Sequence, residues 1–357
     1  MRKNNKANLV TPAFNKPMDF AEEQTLLMEL ERSRMTTGKL KRQKVIFGAA
    51  EKAANDQLME LAGIAEHKAR PYIITPSVSS GTSETVPVIC LSDTHPEEPI
   101  EAGAVRGINA YSEDIYKERF NRMIDKAISL INNRKKTNTV INEVVLWLGG
   151  DFMTGHIHEE NLCTSTKMPI PAAIASQIDI SRMIKRILAE TGVKRLVIPC
   201  NVGNHARTTE KTWIGTLAYT NYEYYMYYSL SEIFANDPRV RFILPTGQFT
   251  EYNVFDKYRI RFQHGDAIKF GGGIGGLEIP LKKRIAAWNA GGNAAYLDVM
   301  GHWHQFTPNR RFIVNGSMMG YNAYAQWCGF SPEEPMQTLF YIEKVHGLTS
   351  IEPIYLK

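Results

Sequence analysis

Short apolar runs alternate with amphipathic stretches from residue 86 to the end of the chain. Three runs rich in branched residues predict buried strands, at 86–92, 143–150 and 195–200. Apolar residues at helical spacing behind Ser112 predict a helix capped by that serine. Two more helices are predicted, at about 173–190 and about 277–289. Later strands follow from residue 239 onward, and the alternation is typical of a layered α/β domain.

Three segments differ in composition and set the predicted domain organisation. Residues 1–74 predict a basic helical amino-terminal extension, with helices at about 19–34 and 39–66 separated by a break at TTG, 36–38. A stretch rich in Pro, Ser, Gly and Thr predicts a linker at 75–85. The remainder, 86–357, is expected to be the α/β domain.

The charge distribution singles out the amino-terminal extension. The formal net charge of the 357 residues is +5, and the first 50 residues hold ten Lys and Arg against five Asp and Glu, so they account for all of it. Attraction to polyanions is therefore expected mainly from the basic run at 32–44. That run is either a solvated helix face or a nucleic-acid contact.

Composition narrows the class of protein. Hydrophobic residues make up 43% and charged residues 22%, as in ordinary globular enzymes. No apolar run approaches the roughly 18 residues of a membrane helix, and the first residues lack the apolar core of a signal peptide, so we expect a cytoplasmic protein with no membrane partner. Four scattered cysteines without a CxxC pair predict buried, reduced thiols rather than a zinc ribbon or a disulfide framework.

Three other stretches each have two interpretations. The aromatic block at 218–230 is either a helix with its rings in the core or a platform that stacks bases. FGGGIGG at 270–276 is either a flexible loop or a phosphate cradle before a helix. The insertion at 96–111 is expected at the mouth of any site that forms after the first strand, where loops set specificity.

Side chains able to bind metals follow five of the apolar strands. The carboxyl ends of strands in a parallel or mixed sheet converge, so these segments are expected to meet at one point. Each short motif is a weak signal alone, whereas five in one order indicate a site. The motifs SDTH, GGD, VGNH, QHGD and GHWH supply Asp93, His95, Asp151, Asn204, His205, His264, His302 and His304.

In this order the motifs resemble those of the calcineurin-like metallophosphoesterase family: DxH, GD, GNH, a lone His and GHxH. The resemblance covers roughly 86–317, including VNGS at 314–317. It implies a four-layer α/β/β/α sandwich with two divalent metal ions. One ion would be held by Asp93, His95, Asp151 and His304, and the other by Asp151, Asn204, His264 and His302. His205 would stand beside the substrate phosphate as the catalytic residue without binding metal.

The chemistry of this ligand set suits phosphoester hydrolysis. Mixed nitrogen and oxygen donors favour Mn²⁺, with Mg, Fe or Zn as alternatives. Two ions about 3.5–4 Å apart can share a hydroxide that attacks phosphorus. His205 would then stabilise the developing charge or protonate the leaving oxygen.

The residues after the GNH motif depart from the family pattern. Many members carry an acidic residue directly after the histidine, whereas this chain has Ala206 and Arg207. Another carboxylate is therefore expected to support His205, or the histidine is tuned differently. Asp266 is a candidate to support His264 from behind, and Arg207 is either a phosphate contact or a surface arginine.

A second Gly-His-x-His pattern, GHIH at 155–158, lies four residues after Asp151. The order of the motifs assigns the ligand roles to the copy at 301–304. His156 and His158 are then candidates for substrate contact or support of the ligands, with a plain surface loop as the alternative.

The leading functional hypothesis is a metal-dependent phosphodiesterase acting on nucleic acid, a nuclease similar to stand-alone relatives of SbcD-type DNA repair exonucleases. The GGDF form of the second motif and the basic extension motivate this hypothesis. Against it, only about 53 residues follow His304, which leaves little room for the carboxyl-terminal capping domain that those nucleases use on DNA ends. A small-nucleotide (cyclic or dinucleotide) phosphodiesterase or a phosphomonoesterase is the alternative, and a non-catalytic interaction module on the same fold is the third. Assembly into a homo-oligomer stays open.

Overall fold

The computed structural model describes residues 24–25, 27–39, 41, 83–157, 159–269, 276–292 and 294–357. The chain divides into two units, Met1–Ser79 and Ser80–Lys357. Within its described residues the second unit is mixed α/β, with two sheets and six α-helices. The predicted α/β class is therefore confirmed.

The described part of the first unit is helical and exposed. The break predicted at 36–38 is wrong, because residues 27–39 are helical throughout. The hydroxyls of Thr36 and Thr37 donate to the carbonyls of Arg32 and Ser33, each at 2.7 Å. Such bonds to the preceding turn let threonine remain inside a helix. The predicted helix at 39–66 lies outside the described residues except for positions 39 and 41.

The larger sheet holds seven strands. In chain order they are β1 (Ser83–Leu91), β2 (Thr139–Val140), β3 (Glu143–Leu148), β4 (Arg195–Pro199), β5 (Val240–Ile243), β11 (Met336–Glu343) and β12 (Gly347–Tyr355). The sheet order is β12-β11-β1-β3-β4-β5, with β2 paired to β1. The neighbours from β1 to β5 are parallel, with Val88 opposite Val145, whereas β11 and β12 join antiparallel. Residues 83–85, predicted as the end of the linker, belong to β1.

The smaller sheet holds five strands. They are β6 (Thr250–Val254), β7 (Tyr258–Phe262), β8 (Leu297–Met300), β9 (Thr307–Pro308) and β10 (Phe312–Val314). Their order is β6-β7-β8-β10-β9, and the central pairs β7/β8 and β8/β10 are parallel. Both sheets therefore contain parallel strands whose carboxyl ends are followed by loops with polar residues.

The six helices lie close to the predicted positions where a prediction exists. They are α1 (Glu113–Lys135), α2 (Glu159–Thr164), α3 (Pro169–Thr191), α4 (Tyr222–Ile233), α5 (Glu278–Asn289) and α6 (Ala323–Trp327). Ser112 caps α1 by accepting from the Ile115 amide, as predicted. The aromatic block forms α4, which buries Tyr227 while Tyr225 and Tyr228 stay exposed.

Alternation along the strands fills three hydrophobic clusters. Ile89 and Leu91 of β1 pack with α1, α3 and α4. Their neighbours Val88 and Cys90 face the other way, into a cluster shared with the smaller sheet. A third cluster joins α5 to residues of β8 and β10. The predicted strands are thus buried on both faces.

Two other expectations concern cysteines and membranes. All four cysteines are free, but only Cys90 and Cys200 are buried, so the prediction was wrong for Cys163 and Cys328, which are exposed. Among the described residues, no helix has the length and apolarity needed to cross a membrane. Residues 270–275 of the glycine-rich loop lie outside the described residues.

Candidate metal centre

The loops after β1, β3, β4, β7 and β8 bring the predicted ligands together. Three groups of His and Asp offer ligand atoms that lie within 4.8 Å of one another inside each group. The groups are Asp93/His95/His304, Asp151/His264/His302 and His95/Asp151/His205. The first lies within one of the two ligand sets that the family resemblance implies and the second within the other. The third joins His205 to His95 and to Asp151, the residue that the two sets share.

The backbone bends sharply where these ligands sit. Of nine non-glycine residues with positive φ among the described residues, five are candidate ligands: Asp93 (52°), His95 (40°), Asp151 (54°), His302 (71°) and His304 (53°). Most residue types avoid this left-handed region, although Asp and His tolerate it better than others. Strained backbone of this kind concentrates at functional sites, so the clustering supports a site at this edge.

Glycines make room for the carboxylates. A Cβ on Gly203 would lie 2.0 Å from Oδ1 of Asp151, and one on Gly301 would lie 2.3 Å from Oδ2 of Asp93. Any side chain at either position would collide with a candidate ligand. The glycines of GNH and GHWH are therefore required by the close approach of neighbouring loops.

The first group is centred on Asp93, which is fully buried. Its Oδ1 accepts from the His302 amide at 2.9 Å and lies 3.4 Å from Nε2 of His304. Burial alone would raise the pKa of the Asp93 carboxyl, but the hydrogen bond and charge of His304 hold it below its ordinary value. Burial lowers the pKa of His95 to about 3, assisted by His205, so this ring is neutral and suited to bind a cation.

The second group is centred on Asp151. Its Oδ2 lies 3.1 Å from Nε2 of His264, and that nitrogen lies 3.0 Å from Oδ1 of Asn204. Burial opposes ionisation of Asp151, yet the charges of His264 and His205 keep its pKa well below the ordinary value. Burial lowers the pKa of His302 to about 3, with a smaller contribution from His264.

Two observations test whether these residues fit a cation. Nε2 of His95 is buried without a hydrogen-bond partner, 3.7 Å from Oδ2 of Asp151. Nδ1 of His264 lies 2.9 Å from the Gly149 carbonyl, which can only accept, so Nδ1 carries a proton. Nε2 is then the ring nitrogen that can bind a cation, and its two neighbours, Oδ2 of Asp151 and Oδ1 of Asn204, are further ligand atoms. A cation bound there would be coordinated by all three of these ligand atoms, so the residues present fit a divalent metal ion.

His205 is held at both ends by the loop after β3. Its amide donates to Oδ1 of Asp151 at 3.0 Å, and Nδ1 lies 2.9 Å from the Thr154 carbonyl. Nδ1 must donate to that carbonyl, which fixes the tautomer of the neutral ring. We expected another carboxylate to support His205 in place of an acidic residue at position 206. The group in direct contact with its Nδ1 is instead the backbone carbonyl of Thr154.

The structure shows the contacts of two further candidates, Arg207, predicted as a phosphate contact or a surface arginine, and Asp266, predicted to support His264. Arg207 donates to the carbonyls of Asn204, Thr209 and Glu210 at 2.9–3.1 Å, so its guanidinium organises its own loop. Asp266 is exposed, and the Gly149 carbonyl takes the position behind His264 that was predicted for it. The charge of Asp266 still contributes to raising the pKa of His264, after Asp151 and Asp93 and against the effect of burial.

The loop with the other Gly-His-x-His pattern lies against His205. A Cβ on Gly155 would fall 2.1 Å from the His205 carbonyl oxygen. The His156 ring is half-buried, 6.0 Å from the Tyr222 ring, and its Nδ1 is buried without a hydrogen-bond partner. His158, the other candidate substrate contact, lies outside the described residues.

The aromatic helix α4 contributes support that the sequence did not reveal. Glu223, in its first turn, is fully buried and accepts from the amides of Phe152 and Gly203, each at 2.7 Å. Burial raises the pKa of Glu223 to about 8, and the charge of Asp151 adds to the shift. Asn221, the N-cap of α4, donates to the Gly203 carbonyl at 2.7 Å. These bonds tie the GGD loop to the GNH loop.

A buried polar chain supports Asp93 from the other side. Gln337 on β11 accepts from the Ser92 amide at 3.0 Å and from Asn315 Nδ2 at 2.9 Å. Asn315 also donates to the Ser92 hydroxyl, which donates to Asp93. Asn315 of the VNGS motif thus supports Asp93 indirectly, through the Ser92 hydroxyl. A lone Gln on a strand gives no signal of this role in the sequence.

No protein-family model matches this chain, and no curated protein matches it either. Function therefore has to be inferred from the side chains and their geometry.

Proposed function

We propose that this chain is a dinuclear-metal-dependent phosphodiesterase of the calcineurin-like type. The observation that carries the proposal is the pair of buried Asp/His groups with His205 beside them. The three hydrophobic clusters, which lie between α-helices and sheet, between the two sheets, and between the second sheet and α5, support the four-layer α/β/β/α arrangement that this family implies.

The two proposed ion sites share Asp151. Asp93, His95, Asp151 and His304 would hold one ion, and Asp151, Asn204, His264 and His302 the other, with Mn²⁺ favoured by the mixed donors. When bound, the ions would supply positive charge for the phosphoryl oxygens and lower the pKa of a water nucleophile. His205, with Nδ1 held by Thr154, would donate a proton from Nε2 to the leaving oxygen.

Nucleic acid is the substrate that we propose first. Its support is the basic run at 32–44, of which residues 32–39 and 41 are helical and exposed. A small nucleotide ester is the second candidate. Among the described residues after His304, β9 to β12 belong to the two sheets. These strands therefore do not form a separate capping part that could hold a polymer, which favours a small ester.

The activity is tested with full-length protein that has been stripped of metal and reloaded with Mn²⁺. Single- and double-stranded DNA, RNA, a cyclic nucleotide and bis-(4-nitrophenyl) phosphate serve as substrates. We expect Mn-dependent hydrolysis that falls by at least about a hundredfold in Asp151→Asn on every substrate, and in His205→Ala on the esters whose leaving oxygen needs a proton. The matched control is Asp256→Asn, an exposed aspartate with the same φ of 54° as Asp151. Unchanged turnover in both site variants would refute the proposal.

The substrate class is tested by removing charge from the extension. In one full-length variant Arg32, Arg34, Lys39 and Lys41 are changed to Gln, and in the control Glu29 and Glu31 are changed to Gln. A polymer substrate predicts weaker binding and a smaller salt dependence in the first variant alone, with cleavage of the small diester retained. Hydrolysis of the small diester without cleavage of DNA or RNA by the wild type would favour the small-ester alternative, and equal DNA cleavage by both variants would remove the basic run as the substrate contact.

A further inference from the structure

A buried glutamate follows the first pair of candidate ligands. Glu97 is 1% exposed, although it belongs to the insertion that begins directly after His95. Its Oε1 accepts from the Thr154 amide at 2.7 Å and faces the Gly155 amide at 3.5 Å. A buried carboxylate needs such donors, because desolvation without compensating hydrogen bonds is costly.

The Thr154–Gly155 peptide connects Glu97 to His205. The Gly155 N–H of this peptide faces the carboxylate, and the Thr154 carbonyl of the same peptide accepts from Nδ1 of His205 at 2.9 Å. The three groups thus form a row of carboxylate, peptide and imidazole. Gly155 permits this arrangement, since a Cβ there would meet the His205 carbonyl oxygen at 2.1 Å.

Two physical effects follow from this row. The short bond to the Thr154 amide fixes the loop, so the carbonyl that receives Nδ1–H stays in place. A carboxylate on the N–H side of a peptide also polarises it, which makes its carbonyl a stronger acceptor. Both effects hold the His205 ring in one orientation with Nδ1–H donated to the Thr154 carbonyl, which is the role that an acidic residue at position 206 would have by direct contact.

We propose that Glu97 is a positioning residue for His205 and acts through the Thr154–Gly155 peptide. The inference rests on the proposed phosphodiesterase function. In the step concerned, the oxygen of a water molecule bonds to phosphorus and its proton passes to solvent, the bond from phosphorus to the leaving oxygen breaks, and the Nε2 proton moves to that oxygen. His205 ends neutral with Nδ1–H still bonded to Thr154, and it regains a proton from solvent.

The test compares two esters in Glu97→Gln, which keeps the shape of the side chain and removes its charge. For a phenyl phosphodiester, whose leaving oxygen needs a proton, we expect kcat to fall about tenfold. For the 4-nitrophenyl analogue, which leaves as a stable anion, we expect a loss of about twofold or less. Bound metal should be unchanged. The control is Glu101→Gln, an exposed glutamate of the same insertion.

A double variant separates positioning from a general structural role. When His205→Ala is already present, Glu97→Gln should cause no further loss, because the group through which it acts is gone. Equal losses on both esters, a further loss in the His205→Ala background, or a drop in bound metal would overturn the inference. If Glu97→Gln does not fold, Glu97→Asp replaces it under the same criteria. Failure of the wild type to hydrolyse either ester with Mn²⁺ would instead refute the proposed function.

Discussion

Two loops of this chain contain the pattern Gly-His-x-His and use it in opposite ways. In the loop at 301–304, His302 and His304 turn their rings into the clusters of candidate ligands. In the loop that begins at Gly155, the described contacts with His205 are made by backbone: the Thr154 carbonyl accepts from its ring, and Gly155 packs against its carbonyl. One loop presents imidazoles and the other presents a peptide.

The difference follows from where each pattern stands relative to its strand. Gly301 comes directly after β8, so the two histidines occupy the turn at the strand end. Gly155 comes four residues after Asp151, where the chain has already passed the candidate ligands. A glycine that allows close approach looks the same in sequence whether a carboxylate or a carbonyl comes near it.

The largest effect that separates the loops is expected from His304→Ala. Outer-shell groups at metal sites cost about 10- to 100-fold when lost, so the loss of a ligand should lower activity by at least about a hundredfold. Metal content measured by elemental analysis should fall with it. Full metal occupancy together with lost activity would remove His304 from the ligand set and weaken the contrast between the loops.

An intermediate effect is expected from Gly155→Ala. The new Cβ would be strained at φ of 68° and would collide with the His205 carbonyl, so the loop must move. We expect activity to fall about tenfold and the free energy of unfolding by about 1–3 kcal/mol, with metal retained.

The control for this variant is Gly107→Ala. Gly107 has a φ of 75° but nothing within 4 Å of its Cβ position, so the substitution adds the backbone strain without the collision. Thermal unfolding and kcat are measured for both proteins. Equal losses in the two variants would mean that the contact between Gly155 and His205 contributes nothing.

The smallest effect is expected from His156→Ala, the counterpart of His304→Ala. This ring lies near Tyr222, its Nδ1 has no hydrogen-bond partner, and it belongs to none of the three candidate ligand groups. Metal content should not change, and kcat should stay within about threefold of the wild type. A change confined to KM would identify His156 as a substrate contact. A loss of metal would make the two loops equivalent.

The sequence predicted the ligand segments because each combines a local signal with a simple geometric rule. Asp93 and Asp151 directly follow apolar runs, and the ends of parallel strands converge. Which strands share a sheet was not predictable in the same way. β11 lies beside β1 although the paired residues are about 250 positions apart in the chain, and only tertiary packing sets that pairing.

The supporting groups escaped sequence reasoning for two physical reasons. Glu223 was hidden in an aromatic block, and its partners are backbone amides 71 and 20 residues away, to which any acceptor could bond. The group that contacts His205 is the backbone carbonyl of Thr154. Every residue type has a backbone carbonyl, so the sequence gives no signal of this role. The expected break at 36–38 failed because threonine can bond to its own helix as well as interrupt it.

The left-handed backbone at five candidate ligands limits which ions this candidate centre could be altered to accept. Asp, Asn and His tolerate positive φ better than other residues with side chains, and they also carry hard or borderline donor atoms. Introducing cysteine at Asp93, His95 or His304 to favour a soft ion would therefore increase the strain of a left-handed backbone that already costs about 1–3 kcal/mol at each position. Ligand type and chain geometry are coupled at this candidate centre, so engineering a thiolate site would require rebuilding the turns before changing the ligands.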